Sequence, residues 1–301
     1  MINTGQISTL LRPALQAVFG LSKPYPDQWE EIFKTYQSDL YQEIDVEMKY
    51  LGAADVKAEG AAIATDSMGQ RNINTYVHRR VGLSFVITRE AIDDNQYQRQ
   101  FPENTRSLKC SLATTKNTFG ANILNNAFNP AHSIGDGQPV CSRNHPIDGG
   151  VYSNSLEGQA TVDFSEAGVE QAIIEIQKFP MQSGILSQTM PKKLILPREL
   201  QFAASRLLDS KFRVDVANND INALYHNDYI PGGYKINQYL TSPSAWFLLT
   251  DAEDGLKHFQ RSAVETDTYV DFATDNIMVK ATERYSFGVS NPRGIFGSPG
   301  V

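Results

Sequence analysis

The sequence has few cysteines and no long apolar run, and both absences narrow the class of protein. Its 301 residues contain only two cysteines, Cys110 and Cys141, too few for the disulfide framework of a small secreted scaffold. No apolar run approaches the roughly 20 residues that a membrane-spanning helix needs. The N-terminus lacks the basic start and apolar core of a signal peptide. We therefore expect a protein made in the cytosol, in a reducing compartment, without a membrane partner.

Positive charge is also scarce. Lysine and arginine total 27 against 34 acidic residues, which gives a formal net charge of −7. A protein that holds nucleic acid through its phosphates normally carries a basic stripe, and the basic pairs here, Arg79-Arg80 and Lys192-Lys193, are isolated. We expect those pairs to be solvated and the protein to have no sequence-specific contact with nucleic acid.

Motifs for catalysis, cofactors and metals are missing as well. No nucleophile elbow, phosphate-binding loop or dinucleotide fingerprint occurs, and Cys141 and His145 have no second pair of metal ligands nearby. Residues 135–137 are too short to cradle a phosphate and predict a turn, and the carboxylates within 251–254 predict a solvated turn. The context of His145 indicates a loop. We therefore expect no catalytic, cofactor-binding or metal-binding residue, and no enzymatic activity.

A long amphipathic helix is the strongest positive signal. Leu108, Leu112, Phe119 and Ile123 recur at helical spacing and predict a helix over about 100–126. Such a helix is about 40 Å long at ~1.5 Å per residue, so we expect other elements to lie across it. The residues predicted to lie on its other faces are Lys109, Lys116, Asn117 and Asn122.

Two β-strands with a long connection precede this helix. Apolar and polar residues alternate over 44–50 and again over 73–87, which predicts strands. The connection from Gly52 to Gly69 is rich in alanine and glycine and has little apolar bulk. A connection of this length indicates either a mobile linker or a projection that binds a partner.

The first 43 residues predict an arm that contains one helix. An apolar stripe near the N-terminus is interrupted by Pro13, and Asp27 then predicts the N-cap of a helix over about 27–36. This segment packs either on the chain's own core or on a neighbouring subunit. The stripe of the predicted helix comprises Trp29, Ile32, Phe33 and Tyr36.

The second half predicts alternating helices and strands. Ser165 caps one helix, residues 194–196 form a short strand, and Pro197 opens a second helix. Residues 218–233 are polar and glycine-rich and predict an exposed tip. A buried strand over 245–249 and closing strands from residue 277 complete the chain, so the fold class is α+β.

Several segments, taken in order, resemble the major capsid proteins of tailed phages with the Hong Kong 97-type fold. Within that family the chain is most similar to the Mu-type major head subunit group. The segments that carry the resemblance are 3–19, 29–33, 88–92, 124–128, 135–137 with 144–146, 281–286 and 294–298.

The resemblance implies a division of the chain into named parts. The spine helix belongs to a P-domain with a β-sheet, the projection is an extended β-hairpin called the E-loop, and an α/β A-domain follows. The implied boundaries are 1–43 for the N-arm, 44–92 for the E-loop, 93–150 for the P-domain, 151–258 for the A-domain and 259–301 for the closing strands.

The resemblance also implies a function. Copies of the chain would assemble as hexamers and pentamers into an icosahedral shell that encloses packaged double-stranded DNA. Implied partners are a portal, a separate scaffolding protein and a decoration protein, in a virion assembled in the cytoplasm of a bacterial host. The residues expected to contact other subunits are Ile7, Leu10, Leu11, Val18, Val56, Ile63, Met68, Asn219 and Tyr229.

Two other classes of protein remain open at this point. An encapsulin-type nanocompartment shares the implied fold but encloses an enzyme. A soluble enzyme with an unrecognised site would run as a small oligomer in gel filtration.

Overall fold

The computed structural model describes residues 25–60, 62–94, 97–160, 162–213 and 220–300, together with residue 17. They form a mixed α/β structure. Its strands are β1 (Lys34–Gln37), β2 (Gln42–Lys49), β3 (Gly69–Val77), β4 (Arg79–Ile87), β5 (His145–Ile147), β6 (Gly150–Tyr152), β7 (Pro191–Leu196), β8 (Tyr234–Ile236), β9 (Trp246–Thr250), β10 (Leu256–Val270), β11 (Ile277–Val289) and β12 (Ile295–Ser298). Its helices are α1 (Arg89–Asp93), α2 (Tyr97–Asn125), α3 (Glu166–Gln177), α4 (Gln201–Leu208) and α5 (Ala223–His226).

The strands form two four-stranded sheets and two ribbons. The first sheet has the order β1-β10-β11-β4, in which β1 runs parallel to β10 and the other pairs are antiparallel. The second sheet has the order β12-β9-β7-β8 and is mixed. The ribbons are β2-β3 and β5-β6.

Helix α2 lies against the first sheet, as its apolar stripe predicts. Leu108 and Leu112 are buried with Ala281 of β11, and Leu124 enters the main core. The helix has 29 residues and begins three residues earlier than predicted, so Pro102 is its sixth residue and lies beyond the first turn. Among the described residues, no helix is long and apolar enough to cross a membrane.

Two of the four polar residues predicted on the other faces of α2, Lys116 and Asn117, are buried. The side-chain oxygen of Asn117 accepts a hydrogen bond from the backbone N–H of Trp29 (3.2 Å), and its amide nitrogen donates to the carbonyl of Pro26 (3.3 Å). Lys116 lies 3.3 Å from the carboxylate of Glu283 on β11. Residues 26–29, which lead into β1, cross this side of α2. Their backbone N–H and C=O groups need hydrogen-bond partners there.

The helix predicted over 27–36 is wrong. The chain makes one 3₁₀ turn (Gln28–Glu31), without a side-chain cap from Asp27, and then enters β1, where Tyr36 pairs with Phe259. The edge of β10 offers backbone hydrogen bonds to this segment, and one turn followed by a strand buries the same apolar residues. Trp29, Ile32 and Phe33 are buried in the chain's own core.

The second half matches the predicted alternation of helices and strands. The Ser165 hydroxyl accepts from the N–H of Gly168 at the start of α3, and β7 and β9 lie side by side in the second sheet. The exposed tip predicted over 218–233 is only partly correct, because Leu224 of α5 and Ile230 are buried in the core of this half. Strand β10, with its polar second half, shows no strand pattern of its own in the sequence, although most of it lies within the segment 259–301 that the resemblance assigns to closing strands.

Candidate intersubunit surface

The β2-β3 ribbon and its connection correspond to the predicted pair of strands only in part, because the second half of the predicted return strand over 73–87 is β4 of the first sheet. The strands pair antiparallel, with Ile44 opposite Thr75 and Val46 opposite Ile73. Apart from residue 61, which the structure does not describe, the connection over 50–68 forms neither helix nor strand. The ribbon therefore carries a long irregular tip.

The start of β2 and the end of β3 are joined to the rest of the subunit at one point. The hydroxyl of Ser38, between β1 and β2, lies 2.9 Å from Nε2 of His78, between β3 and β4. Nδ1 of the same imidazole lies 3.0 Å from the hydroxyl of Ser286 on β11. Burial, followed by the charge of Arg284, lowers the pKa of His78, which favours the neutral imidazole between the two hydroxyls.

The ribbon turns its polar face towards the body. On that face the hydroxyl of Tyr76 lies 2.7 Å from that of Ser290, and the amide of Asn74 donates to the Ser290 carbonyl (3.1 Å). The other face carries Ile44, Ile73 and Val77, each about half exposed. A groove of about 800 Å³ lies between part of this apolar face and α2.

Glu47 is the most densely bonded residue of the polar face. One of its carboxylate oxygens accepts from Arg293 (2.6 Å) and from Gln182 (2.8 Å), and the other accepts from Asn72 (2.7 Å). The side chains of Glu47 and Arg293 are almost fully buried. Charge-assisted hydrogen bonds at a buried position are strong, so this residue fixes the ribbon on the second half of the chain.

Two further carboxylates, Asp45 and Asp148, form ion pairs between the ribbon and the body. Together with Glu47 they make up what we call the seat of the ribbon. Asp45 accepts from Lys257 (2.6 Å). Burial alone would lower the pKa of Lys257, but its hydrogen bonds to Asp45 and Asp254 outweigh burial and raise it. Asp148 pairs with Lys49 (2.7 Å) and with Arg71, and these contacts lower the pKa of its carboxyl group. The ribbon is therefore held on the body mainly by charged and hydrogen-bonded groups, together with the buried ring of Tyr76, which lies 5.2 Å from that of Phe259.

The tip beyond this seat has few contacts with its own chain. The backbone N–H of Gly52 donates to the carboxylate of Asp66 (2.7 Å), which closes the neck of the tip and, with the N–H of Ser67, lowers the pKa of Asp66. Val56 is 100% exposed and Ile63 is 75% exposed. Within the described part of the chain, these side chains have little or no apolar cover.

The structure locates four of the nine predicted contact residues. Val56, Ile63 and Met68 are exposed on the tip of the ribbon, and Tyr229 is exposed on the second half of the chain. Contact of these residues with another subunit stays a prediction. The remaining five lie outside the described residues: Ile7, Leu10, Leu11, Val18 and Asn219.

His145 was predicted in a loop and is instead fully buried at the start of β5. Its ring nitrogens lie 2.6 Å from the Asp136 carboxylate and 3.0 Å from the side-chain oxygen of Asn154. The same turn touches the ribbon, because the N–H of Gly135 donates to Asn74 (2.7 Å). The imidazole thus holds the turn on which β3 rests. Among the described residues, no cluster of three or more His, Cys, Asp or Glu side chains could hold a metal.

Comparison with solved structures defines the class of fold. A virus-like particle from Pyrococcus furiosus matches with a TM-score of 0.57 at 9% identity, covering 95% of this chain and 97% of that chain. A phage-related protein from Bordetella bronchiseptica gives 0.55 at 13% identity, with 95% of both chains covered. The structure of Mycobacterium phage Che8 gives 0.55 at 13% identity, covering 92% of this chain and 96% of that chain. At these identities the likeness shows the fold alone.

The sequence itself identifies the family. The model of the phage capsid protein family matches residues 73–297, about three quarters of the chain, and the chain belongs to this family. No curated protein matches the sequence. The match confirms the coarser part of the resemblance, a phage capsid protein and hence a component of the virion, and leaves the Mu-type subgroup as a proposal.

Proposed function

We propose that the chain is the major head protein of a tailed phage, of the Hong Kong 97 type and nearest to the Mu-type group. Copies assemble as hexamers and pentamers into an icosahedral shell that encloses packaged double-stranded DNA. In this proposal the β2-β3 ribbon with its tip is the E-loop, α2 is the spine of the P-domain, and the second sheet belongs to the A-domain.

The orientation of the β2-β3 ribbon, with its polar face on the body and its apolar face exposed, is the observation that carries the proposal. A ribbon that served only the fold would turn its apolar face inward, because burying apolar surface is what stabilises the subunit. Here the polar face is seated on the body, and Ile44, Val56 and Ile63 remain exposed. Exposed apolar side chains on a preformed projection are typical of a surface that another protein covers. In a capsid protein, the neighbouring copy is the simplest partner.

The proposal requires no chemistry from the protein. It is consistent with the absence of recognisable catalytic and cofactor motifs, and we propose that the chain is not an enzyme. The net charge of −7 suits a container, since DNA that must enter and leave should not be held through its phosphates. We further propose a portal, a separate scaffolding protein and a decoration protein as partners, with assembly in the cytoplasm of the bacterial host.

The shell of a cellular nanocompartment is the second candidate. The observation that favours it is the similarity to the Pyrococcus furiosus virus-like particle, with a TM-score of 0.57 over 95% of this chain. The shells of the two candidates would differ in what they enclose. Particles purified after expression in the native host would contain DNA in the first case and an enzyme in the second.

Deleting residues 53–66 tests the first candidate. The deletion spares the seat of the ribbon, so we expect subunits with unchanged circular dichroism that no longer form regular particles in electron micrographs. The substitution pair Val56→Ser and Ile63→Ser should weaken the shell in the same direction. The control pair Ala58→Ser and Ala62→Ser, in the same loop, should not. Normal shells of unchanged heat stability from the deletion variant would contradict a role of the tip in assembly.

A further inference from the structure

The β2-β3 ribbon joins the first sheet through two short connections. Strand β3 passes into β4 through a single residue, His78, and β1 passes into β2 through residues 38–41. On one side of His78, β4 pairs with β11, with Arg79 opposite Tyr285, whereas on the other side β3 pairs with β2. The chain therefore changes its pairing partner at His78, and rotation there would move the ribbon relative to the first sheet. We call residues 38–41 and 78 the hinge.

The imidazole of His78 ties both connections of the hinge to β11. The residue is 4% exposed, and its ring lies between the hydroxyl of Ser38 (2.9 Å from Nε2) and that of Ser286 on β11 (3.0 Å from Nδ1). The Ser38 hydroxyl also accepts a hydrogen bond from the N–H of Leu40 (3.3 Å). A neutral ring with its hydrogen on Nδ1 fits this arrangement, because it donates to Ser286 and accepts the hydrogen of Ser38.

A protonated ring does not fit the same arrangement. An imidazolium has two N–H donors and no acceptor. The hydroxyl of Ser38 would have to accept a second hydrogen bond, while its own hydrogen would lose the Nε2 atom that accepts it. Leaving a buried donor without an acceptor costs free energy, so the charged ring holds the hinge less well than the neutral ring.

Two cations beside the hinge oppose protonation further. The guanidinium of Arg284 on β11 donates to the backbone carbonyl of His78 (3.5 Å), and that of Arg261 on β10 donates to the carbonyl of Ser38 (3.4 Å). Glu43 on β2 acts in the opposite direction, but burial, the largest effect, and the two arginines outweigh it and lower the pKa of His78. A histidine in water has a pKa near 6.5, so acid favours the state in which the hinge is open and the ring is solvated.

The other charges beside the hinge lie in solvent. Asp39 pairs with Arg261 (3.2 Å), and its side chain is fully exposed. Arg79 and Arg80, which follow His78 in β4, are exposed as well. Solvent and salt screen such charges. The balance at the imidazole is therefore set by burial and by the arginines that contact the hinge.

We propose that His78 is a pH-sensitive pin of the ribbon. The neutral imidazole fixes both connections to β11, and its protonation in mild acid loosens the end of the ribbon next to the hinge. The far part of the ribbon stays seated, because the contacts of Asp148 with Lys49 and Arg71 lower the pKa of its carboxyl group and persist to stronger acid. The consequence for assembly, a tip whose freedom to move depends on pH, rests on the proposed function.

Hydrogen exchange of dissociated subunits at pH 7 and pH 5 tests the pin. After correction for intrinsic exchange, peptides covering 38–45 and 74–80 should exchange at least tenfold faster at pH 5 in the parent. In His78→Gln, whose amide offers one donor and one acceptor but does not titrate, this acceleration should be at least threefold smaller. His226→Gln, on an exposed histidine, should keep the parent acceleration. An equal acceleration in the parent and in His78→Gln, or none in the parent, would overturn the proposal.

A second variant keeps the imidazole and removes its partner on β11. In Ser286→Ala, the same two peptides should exchange at least threefold faster than in the parent already at pH 7, and acid should add less. Peptides of the second sheet, such as one covering 246–250, should match the parent at each pH. Ribbon exchange in Ser286→Ala equal to that of the parent at pH 7 would overturn the pin.

These measurements separate the pin from the proposed shell. They use dissociated subunits, so a negative result removes the pin and leaves the shell proposal standing. If the parent chain forms no shells under any condition, the proposed function fails, and with it the consequence for assembly, while the exchange data still decide whether His78 controls the hinge.

Discussion

At the scale of single residues, the least predictable features are buried polar groups. Glu283 stands out in the sequence as a charged residue within the apolar alternation of β11. Its partner, Lys116, lies 167 positions away and was predicted on an outer face of the helix. Lys116 also lies over the rings of Trp29 (4.6 Å) and Tyr285 (4.9 Å). Spacing along the chain cannot reveal such a pair, because the fold alone brings the two residues together.

His258 offers a test of this buried cluster. Its ring packs 4.3 Å from that of Trp29, and burial, followed by the charge of Lys116, lowers its pKa to about 3. The unfolded chain takes up this proton near pH 6.5, whereas the folded chain does not until about pH 3. The unfolding free energy should therefore fall as pH decreases below 6.5, by about 2 kcal/mol at pH 5 from this residue.

Urea unfolding of dissociated subunits at pH 7 and pH 5 measures this effect. His258→Phe keeps a ring in the aromatic cluster and removes the titrating group, so the difference between the two pH values should shrink by about 2 kcal/mol. His226→Phe, on an exposed histidine, should leave the difference unchanged. Parallel pH profiles of the parent and His258→Phe would mean that the imidazole titrates alike in both states.

At the scale of elements, local patterns predict the element type better than its orientation. Helix α2 was recognised because Leu108 and Leu112 repeat at helical spacing along one continuous stretch. The alternation in β2 also identified a strand with two faces. It could not tell which face meets the body, because that depends on Lys257 and Arg293, which lie 212 and 246 positions from Asp45 and Glu47.

The buried stripe of α2 leads to a quantitative prediction. Leu112 is buried against β11 and should contribute to the stability of the subunit before any assembly step. Leu112→Ala removes that packing and leaves a cavity, so we expect a loss of about 2–5 kcal/mol in the free energy of unfolding, measured by urea titration. Thr114→Ala, on the exposed side of the same helix, should change it by less than about 0.5 kcal/mol. A soluble Leu112→Ala subunit as heat-stable as the parent would show that this face is misassigned.

At the scale of the whole molecule, the order of the elements was predictable from the sequence, but the way in which the strands combine into sheets was not. The long helix, the projection and the alternating second half follow from local periodicity. The two sheets, in contrast, join strands from distant parts of the chain, such as β1 with β10 and β4 with β11. Such pairings depend on complementary edges and faces that no single segment displays. The resemblance to a fold family, carried by the order of several weak motifs, implied a β-sheet beside the long helix but no order of strands.

The N-terminal arm carries the last prediction. Among the described residues, the buried core begins at Trp29, and it includes Ile32 and Phe33. We therefore expect removal of residues 1–20 to leave the melting temperature of dissociated subunits nearly unchanged. The apolar residues of that segment would each contribute about 1.5–3 kcal/mol when fully covered by a neighbour, so the melting temperature of shells should fall. Leu10→Ser with Leu11→Ser should act in the same direction, and Thr4→Ser with Thr9→Ser should not. If the truncation lowers both melting temperatures equally, the segment belongs to the subunit's own core and does not overlap a neighbour.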